Sequence, residues 1–543
     1  MKKHLLIVLL LLVANAISAQ VSLVRKGTRV WIEVKGQPML VLGGELSNSA
    51  ATSIADIDEV MPRMSALGLN TVLVPAQWDL IEPVEGKFDF SLIDETIQQA
   101  RANRLKVIFL WFGAWKNSMS CYAPLWFKKD TKRFPRAMTR QGKPLEIASA
   151  FSENVFQADN KAFSALMKHI RDVDQQQNTV IMVQVENEIG MLEEARDHSP
   201  LAEKAFRQGD WRKRIATSKP TRLPKDALQD EVFMAYYYAS YVERLAQSAR
   251  AIYPLPLYVN AAMNSRGRKP GEYPSAGPLA HLIDIWHLAA PSIDLLAPDI
   301  YDTGFKDWAG QYALDDNPLF IPESRCCTNS GVRALYVFGA HEAIGFSPFA
   351  IDQSGQKEQE EIKNAYSLLA SLAPLLLKSS AKGSKKGFLV DQEHPSCQTT
   401  DGDITLTLRH YFTLPWDPRA TNGSEWPEGG AIVMRLSPYE YLIAGKGVVA
   451  EFKTATEFQQ EHQQTLGEDG FAQHGSNAPH TSAIEKSFTG QRIGIGTVDE
   501  VSVNPDGSLN YLRRLCGDQT HQGRHVRIGV DAYQILHVKL YKY

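Results

Sequence analysis

The chain has 543 residues, 44% of them hydrophobic and 22% charged, with 58 Lys and Arg against 61 Asp and Glu. That length exceeds one ordinary domain and fits a barrel of roughly 250 to 400 residues with a smaller partner. The near-neutral balance, with no basic run interleaved with aromatics, excludes nucleic acid as the expected partner and favours a neutral oligosaccharide or polysaccharide.

The N-terminus reads as an export signal. Met1-Lys-Lys-His gives a basic start, Leu5 to Val13 an apolar stretch, and Ala16-Ile-Ser-Ala19 a small-residue cleavage site before Gln20. The apolar part is too short for a good membrane span. Residues 1–19 are therefore expected to be removed, leaving a periplasmic or secreted chain without membrane insertion. Residues 20–40 alternate and carry Gly turns, which predicts a small hairpin. Strands are then predicted to begin near Met39, Thr71, Val107, Thr179, Leu257, Asp294, Leu319 and Gly345. Most are separated by amphipathic stretches such as Ile54 to Leu67, Ser91 to Asn103 and Val155 to Asp174. This rhythm predicts an α/β fold, a (β/α)8 TIM barrel over residues 20–377. Inserted material at residues 114–153 and 190–225 is expected to build the substrate cleft.

Past Lys378 the texture changes to the polar Ser379-Ser-Ala-Lys-Gly-Ser-Lys-Lys-Gly387, a linker. Helical periodicity is scarce beyond it. Ile404 to Phe412, Ala431 to Leu436, Tyr441 to Ala444 and Ile535 to Tyr543 predict antiparallel strands, and residues 378–543 a β-sandwich accessory domain. The five cysteines, Cys121, Cys326, Cys327, Cys397 and Cys516, are odd in number and match neither a disulfide framework nor a zinc spacing. No metal or cofactor is expected.

The most informative segment is Asn178-Thr-Val-Ile-Met-Val-Gln-Val-Glu-Asn-Glu-Ile-Gly190. Its β-branched run reads as a strand buried on both faces, delivering Asn187 and Glu188 to the carboxyl end where barrels display catalytic groups. An isolated Asn-Glu there serves acid/base chemistry or a structural ion pair about equally well. Asn317-Pro-Leu-Phe-Ile-Pro-Glu-Ser-Arg325 repeats the layout and ends in Glu323. Two carboxylates about 5 to 5.5 Å apart across a sugar ring are what retaining glycoside hydrolysis needs, one as nucleophile and one as acid then base. Other strand ends carry groups suited to sugar hydroxyls and sugar faces: Glu45 in Val41-Leu-Gly-Gly-Glu-Leu-Ser47, Trp78 in Val74-Pro-Ala-Gln-Trp-Asp79, Trp115 in Phe109-Leu-Trp-Phe-Gly-Ala-Trp-Lys-Asn-Ser118, and Tyr301 in Ala297-Pro-Asp-Ile-Tyr301.

Together these segments resemble glycoside hydrolase family 35, the retaining β-galactosidases. Val183-Gln-Val-Glu-Asn-Glu-Ile-Gly190 is similar to that family's Val-Gln-Val-Glu-Asn-Glu-Tyr-Gly acid/base segment, and Trp78 to Phe90 to its Trp, Glu-Pro, Gly, Phe-x-Phe pattern. The resemblance covers residues 38–352. The chain looks most like a bacterial subgroup with the loop Trp-Phe-Gly-x-Trp-Lys-Asn-Ser-Met-Ser and a C-terminal β domain. The resemblance implies Glu188 as general acid/base, Glu323 as nucleophile, Asn187 as the amide on the sugar 2-hydroxyl and Tyr301 as the tyrosine that orients the nucleophile. It also implies an exo-acting enzyme trimming terminal galactose from plant polysaccharide side chains or their oligosaccharides. The chain departs from the family where Gly113-Ala-Trp115 lacks the acid of the Ala-Glu-Trp in many animal and fungal members. Val74-Pro-Ala-Gln-Trp78 likewise replaces the usual Tyr-Pro and Trp-Asn. Two other readings compete: a retaining glycosidase of the same clan acting on a β-glucan, mannan or α-L-arabinoside, and a non-catalytic glycan-binding barrel. The presence of both glutamates argues against the second.

Overall fold

The computed structural model describes residues 20–543 apart from 28, 265, 379–383, 415 and 462–489. The expected export signal and most of the polar linker lie outside the described residues.

Parallel strands form the centre: β1 (Val41–Glu45), β2 (Thr71–Gln77), β3 (Lys106–Phe112), β4 (Val180–Gln184), β5 (Leu257–Ala262), β6 (Leu295–Ile300), β7 in two pieces (Phe320–Ile321 and Glu323–Ser324) and β8 (Gly345–Phe346). Every residue of β1, β2 and β4 is buried, as expected of strands covered on both faces. The break in β7 has a simple cause. Pro322 has no N–H to donate to a ladder, so the strand changes partner there. Phe320 and Ile321 pair with β8, while Glu323 and Ser324 pair with β6. That exchange closes the ring, and Glu323 is the first residue beyond it.

Around the ring lie α1 (Ile54–Ala66), α2 (Ser91–Ala102), α3 (Glu153–Asp174), α4 (Gln229–Ile252), α5 (Ile283–Ala289), α6 (Phe305–Tyr312), α7 (Ser330–Ala340) and α8 (Gln356–Leu377). Serines cap two of them: Ser53 accepts the Asp56 N–H and Ser152 the Val155 N–H. In α3 the residues Val155, Phe156, Ala162, Phe163, Leu166, Met167 and Ile170 form one buried stripe at helical spacing. The arrangement is a TIM barrel, as the strand and helix rhythm predicts. The expected N-terminal hairpin is instead a three-stranded antiparallel sheet, Val21–Lys26, Arg29–Val34 and Gln37–Met39. Its third strand takes the residues up to Met39, so β1 starts at Val41. This sheet lies where the barrel strands begin, since Asn178, just before β4, donates to Gln20 at 3.2 Å. The first insertion, at 114–153, holds a short hairpin, Arg136–Met138 with Pro144–Ala148, and the second, at 190–225, holds helices Pro200–Gln208 and Asp210–Ser218.

The C-terminal part is a sandwich of two antiparallel sheets. One has six strands in the order Lys385–Val390, Gly429–Ser437, Glu440–Lys446, Gln534–Lys542, Ile493–Val503, Leu509–Leu515. The other has four: Ser396–Asp401, Ile404–His410, Val448–Thr454, Val526–Ile528. The six-stranded sheet is apolar on both faces. Phe388, Ala431, Val433, Ile443 and Val538 point into the sandwich core. Their neighbours Leu389, Ile432, Met434, Leu442 and Ile535 belong to the barrel's own core. Contact with α7 is backbone-close at one point. A Cβ on Gly387 would stand 2.4 Å from Ala340 N and Tyr336 O, so only glycine fits. Polar ties flank this contact: Arg333 clasps Glu428 at 2.6 and 2.8 Å, and Glu361 accepts from Lys446 at 2.6 Å and Tyr533 at 2.5 Å.

Candidate active site

Beyond β4 the chain runs Val185-Glu-Asn-Glu188, with Glu186 and Glu188 in the left-handed region at φ 61° and 45°. Facing them is the loop after β3, where Asn117 and Ser118 are also left-handed at φ 51° and 59°. Non-glycine residues in that region cost about 1 kcal/mol or more each, so surrounding contacts must hold them. Here the two segments are laced together. Trp115 N–H donates to the Glu186 carboxylate at 2.8 Å, Asn187 N–H to Trp115 C=O at 3.3 Å, and Ser118 N–H to Glu188 C=O at 3.1 Å. From the other side Asn260, in β5, accepts the Glu188 N–H at 2.9 Å.

Alternate glutamates then go separate ways. Glu186 turns inward to meet Asp159 of α3, which accepts from the Trp111 indole at 2.9 Å and the Tyr241 hydroxyl at 2.7 Å. Burial raises both acids, and for Glu186 the Asp159 charge adds to it, so the pair holds a proton between them. Gly113 passes over this pair. A Cβ there would lie 2.2 Å from Trp111 Nε1 and 2.8 Å from each of the two carboxylates.

Glu188 reaches the barrel mouth, where three carboxylates converge. One oxygen each from Glu188, Asp299 of β6 and Glu323 of β7 lie within 4.8 Å of one another. Asp299 and Glu323 are in register on neighbouring strands. Glu45, at the end of β1, brings a fourth carboxyl against Glu323. Tyr301 donates its hydroxyl to Glu323 Oε1, and Asn117 donates its amide to Glu188 Oε2. Asn260 donates to Asp299 at 2.7 Å, so one amide fixes both Asp299 and the Glu188 backbone. Burial and then the charge of Glu188 push Glu323 up to about 7, with the Lys116 ammonium and the Tyr301 hydroxyl pulling the other way. Asp299 and Glu45 are raised well above the carboxylate range, first by burial and then by Glu323. So crowded a site cannot carry all its negative charges at once. Spacing of this kind can hold a cation among three carboxylates, and it is also the spacing of a nucleophile and acid pair.

Unmet hydrogen-bonding capacity gathers at the same place. Both polar atoms of the Asn187 amide and of Gln184, Glu323 Oε2, Asp299 Oδ1 and the Tyr258 hydroxyl are buried without a protein partner among the described residues. Buried polar groups are ordinarily paired, so a concentration of unpaired ones marks where a polar ligand completes them.

Of the residues singled out by sequence, Glu188, Glu323, Asn187, Tyr301 and Glu45 are brought together. Trp78 and Trp115 are not, and their expected role as sugar platforms is corrected. Both are fully buried. Trp78 packs on Phe127 at 5.0 Å and donates its indole N–H to Glu82 at 2.8 Å; Trp115 lies edge-on to Tyr241 at 4.8 Å and Tyr238 at 5.6 Å. Their rings fill the core beneath the site. Sequence reasoning missed Lys116, Asn117, Asn260 and Asp299. A signal for the last two exists: each is a polar residue inside an otherwise apolar buried strand, Leu257–Ala262 and Leu295–Ile300.

Comparison with known proteins gives two family matches. The glycoside hydrolase family 42 model, described as "Beta-galactosidase", matches residues 51–216, and a model described as "Domain of unknown function (DUF5597)" matches residues 362–527. The first takes in Asn187 and Glu188, and its family differs from the family 35 that the motifs resemble, while both bear the β-galactosidase description. Comparison with curated proteins found no match. Solved structures similar to this chain include a polyextremophilic β-galactosidase from the Antarctic haloarchaeon Halorubrum lacusprofundi, at 17% identity over 61% of this chain and 58% of that one, with a TM-score of 0.44. Others are the β-galactosidase of the psychrophilic Marinomonas ef1 (13%, 62% and 60%, 0.46) and the cold-adapted β-galactosidase of Rahnella sp. R3 (16%, 62% and 57%, 0.46). The chain spans less than two thirds of the length of each.

Proposed function

We propose that this protein is an exo-acting retaining β-galactosidase that releases terminal β-D-galactosyl residues from plant polysaccharide side chains or their oligosaccharides. The observation that carries the reading is the approach of Glu188 and Glu323, from different strand ends, to within 4.8 Å between carboxylate oxygens. Double displacement needs about 5 to 5.5 Å between the groups, whereas inversion needs about 6.5 to 9.5 Å to admit a water. Burial supports exo action: Glu188 is 5% and Glu323 4% exposed, as fits a blind pocket that admits a chain end. The β-galactosidase family match over residues 51–216 supports the glycone, as does the resemblance to family 35. The basic, apolar and small-residue order of residues 1–19 supports export to the periplasm or beyond.

The chemistry follows from the site. Glu323, ionised, attacks C1 while Glu188 gives its proton to the departing oxygen; Glu188 then takes a proton from water as it attacks the glycosyl ester on Glu323. Tyr301 holds the attacking carboxylate in place through its hydroxyl. Asn117 holds Glu188. In this reading the Asn187 amide takes the sugar 2-hydroxyl, a contact that strengthens as the ring flattens in the transition state; its lack of a partner among the described residues supports this. A panel of nitrophenyl glycosides tests the glycone. Turnover of the β-galactoside well above the β-glucoside, β-mannoside and α-L-arabinoside is expected; a preference for any of the others would overturn the galactose assignment.

A further inference from the structure

Of the ten tryptophans, nine are buried or half-buried, while Trp416 is 44% exposed. It stands in the sandwich, on the loop between Ile404–His410 and Gly429–Ser437. His521 and His525, on the loop before Val526–Ile528, have ring centroids 5.3 and 6.4 Å from its own, and they stack on each other at 5.2 Å with 10° between their planes. The Arg527 guanidinium lies over the indole at 5.7 Å. Both loops serve the four-stranded sheet, which adds nothing to the barrel core, and the cluster shares no residue with the carboxylate site. Each loop is held in shape by its own contacts. Arg419 grips Asp417, next to Trp416, at 2.8 and 3.1 Å and Asp531 at 2.8 and 3.0 Å. On the other loop His521, Gln522 and Gly523 are left-handed at φ 47°, 59° and 82°, and Thr520 C=O accepts the N–H groups of Gly523, Arg524 and His525. Two consecutive non-glycine residues in that region are uncommon and need such holding.

Two groups in this cluster have capacity to spare. His525 is 4% exposed, yet its Nε2 meets no partner among the described residues. Burial and the nearby cations Arg527, His521, Arg409 and Arg524 push His525 down to about 3, so its ring is neutral and the unmet nitrogen can serve a hydroxyl. Arg409 is taken by Glu451, and Arg419 by Asp417 and Asp531. Arg527 donates its Nε–H to Gln519 C=O at 3.2 Å and forms no ion pair among the described residues. We propose that Trp416, Arg527 and His525 form a saccharide-binding site on the sandwich, for a glycan that carries uronic acid residues. The indole covers the C–H face of a pyranose, the Arg527 fork takes its carboxylate, and His525 Nε2 takes a hydroxyl. Flanking carboxylates on Asp417, Glu451 and Asp531 disfavour a densely charged polyanion such as nucleic acid and suit a sugar with one charge per ring.

This site stands apart from the chemistry of the barrel, and binding alone tests it. Titration of the whole protein with trigalacturonate, followed by calorimetry and by indole emission, is expected to show saturable binding with a change in fluorescence. Trp416→Ala is expected to weaken that binding about tenfold or more and to remove the emission change, because the exposed indole is the one the ligand covers. Arg527→Gln is expected to weaken trigalacturonate about tenfold while leaving the weaker binding of neutral galactotriose unchanged. Both side chains are exposed or half-buried, so both variants are expected to melt with wild type. No binding, binding that survives both substitutions, or galactotriose bound as tightly as trigalacturonate would overturn the proposal. Tighter binding of a DNA oligonucleotide, lost in the same two variants, would overturn it as well.

Discussion

At the scale of single residues, two glutamates with nearly identical sequence surroundings are given different work by what they touch. Glu186 and Glu188 are two apart on one turn, yet Glu186 is sealed against Asp159 while Glu188 faces Glu323. From sequence, the Val-Glu-Asn-Glu string fits acid/base chemistry and a structural ion pair about equally well, and only the resemblance singles out Glu188. The structure gives the two different neighbours across a turn in which both are left-handed. Glu188→Ala is expected to lose activity most on substrates with poor leaving groups and least on activated aryl galactosides, because only the former need a proton. Added azide is expected to speed turnover of the activated substrate and give a β-glycosyl azide. Equal loss on both classes of substrate would remove Glu188 from the acid role. Stability gives an independent reading of Glu323. Its carboxyl rises from 4.5 to about 7 on folding, so the folded state holds that proton more tightly than the unfolded chain. The resulting stabilisation is present below pH 4.5 and is lost as pH rises through 7. Glu323→Gln, which cannot ionise, is therefore expected to be more stable than wild type by about 1 to 2 kcal/mol at pH 8 and to lose that advantage at pH 4. Denaturant melts at the two pH values check this.

At the scale of elements, the site depends on two loops that hold each other. The loop after β3 and the turn after β4 exchange backbone hydrogen bonds through Trp115, Asn187, Ser118 and Glu188, and Asn117 reaches the acid directly. Asn117→Ala is expected to lower kcat/KM by about tenfold or more on substrates with poor leaving groups, with little change on activated ones, because it frees the Glu188 carboxyl without touching Glu323. Uniform loss across leaving groups would show that Asn117 merely supports the loop. Element order was legible in sequence because buried parallel strands are continuous apolar runs and their helices are amphipathic. Strands such as Ser396–Asp401 and Leu509–Leu515 are not, because they are edge strands with much of their length in water and lack the pattern of a buried strand. The partners Asp299 and Asn260 were hidden for a different reason. Their role arises only where β5, β6 and β7 lie side by side, a register that no local pattern records.

At the scale of the whole molecule, the barrel and the sandwich share the middle strands of one sheet, buried on both faces. Residues such as Ile432 and Leu442 lie in the barrel's core while Val433 and Ile443 lie in the sandwich's. Separating the two parts would expose an apolar face, at about 25 cal/mol for each Å². Calorimetry is therefore expected to show a single cooperative unfolding transition, and Leu442→Asp to lower it as a whole. Two resolved transitions would show that the parts fold independently. The polar pattern at 379–387 reads in sequence as a linker into an accessory domain, and at its end Gly387 packs so closely on α7 that a Cβ would meet Ala340 N and Tyr336 O.

The central claim is that Glu323 forms a glycosyl ester under the hand of Glu188, and trapping that ester tests it most directly. Incubation with an activated 2-deoxy-2-fluoro-β-galactoside, followed by digestion and mass analysis, is expected to place one fluorosugar on Glu323 and to stop turnover in proportion. A label on Glu188 or Asp299, or complete inactivation without any label, would contradict it.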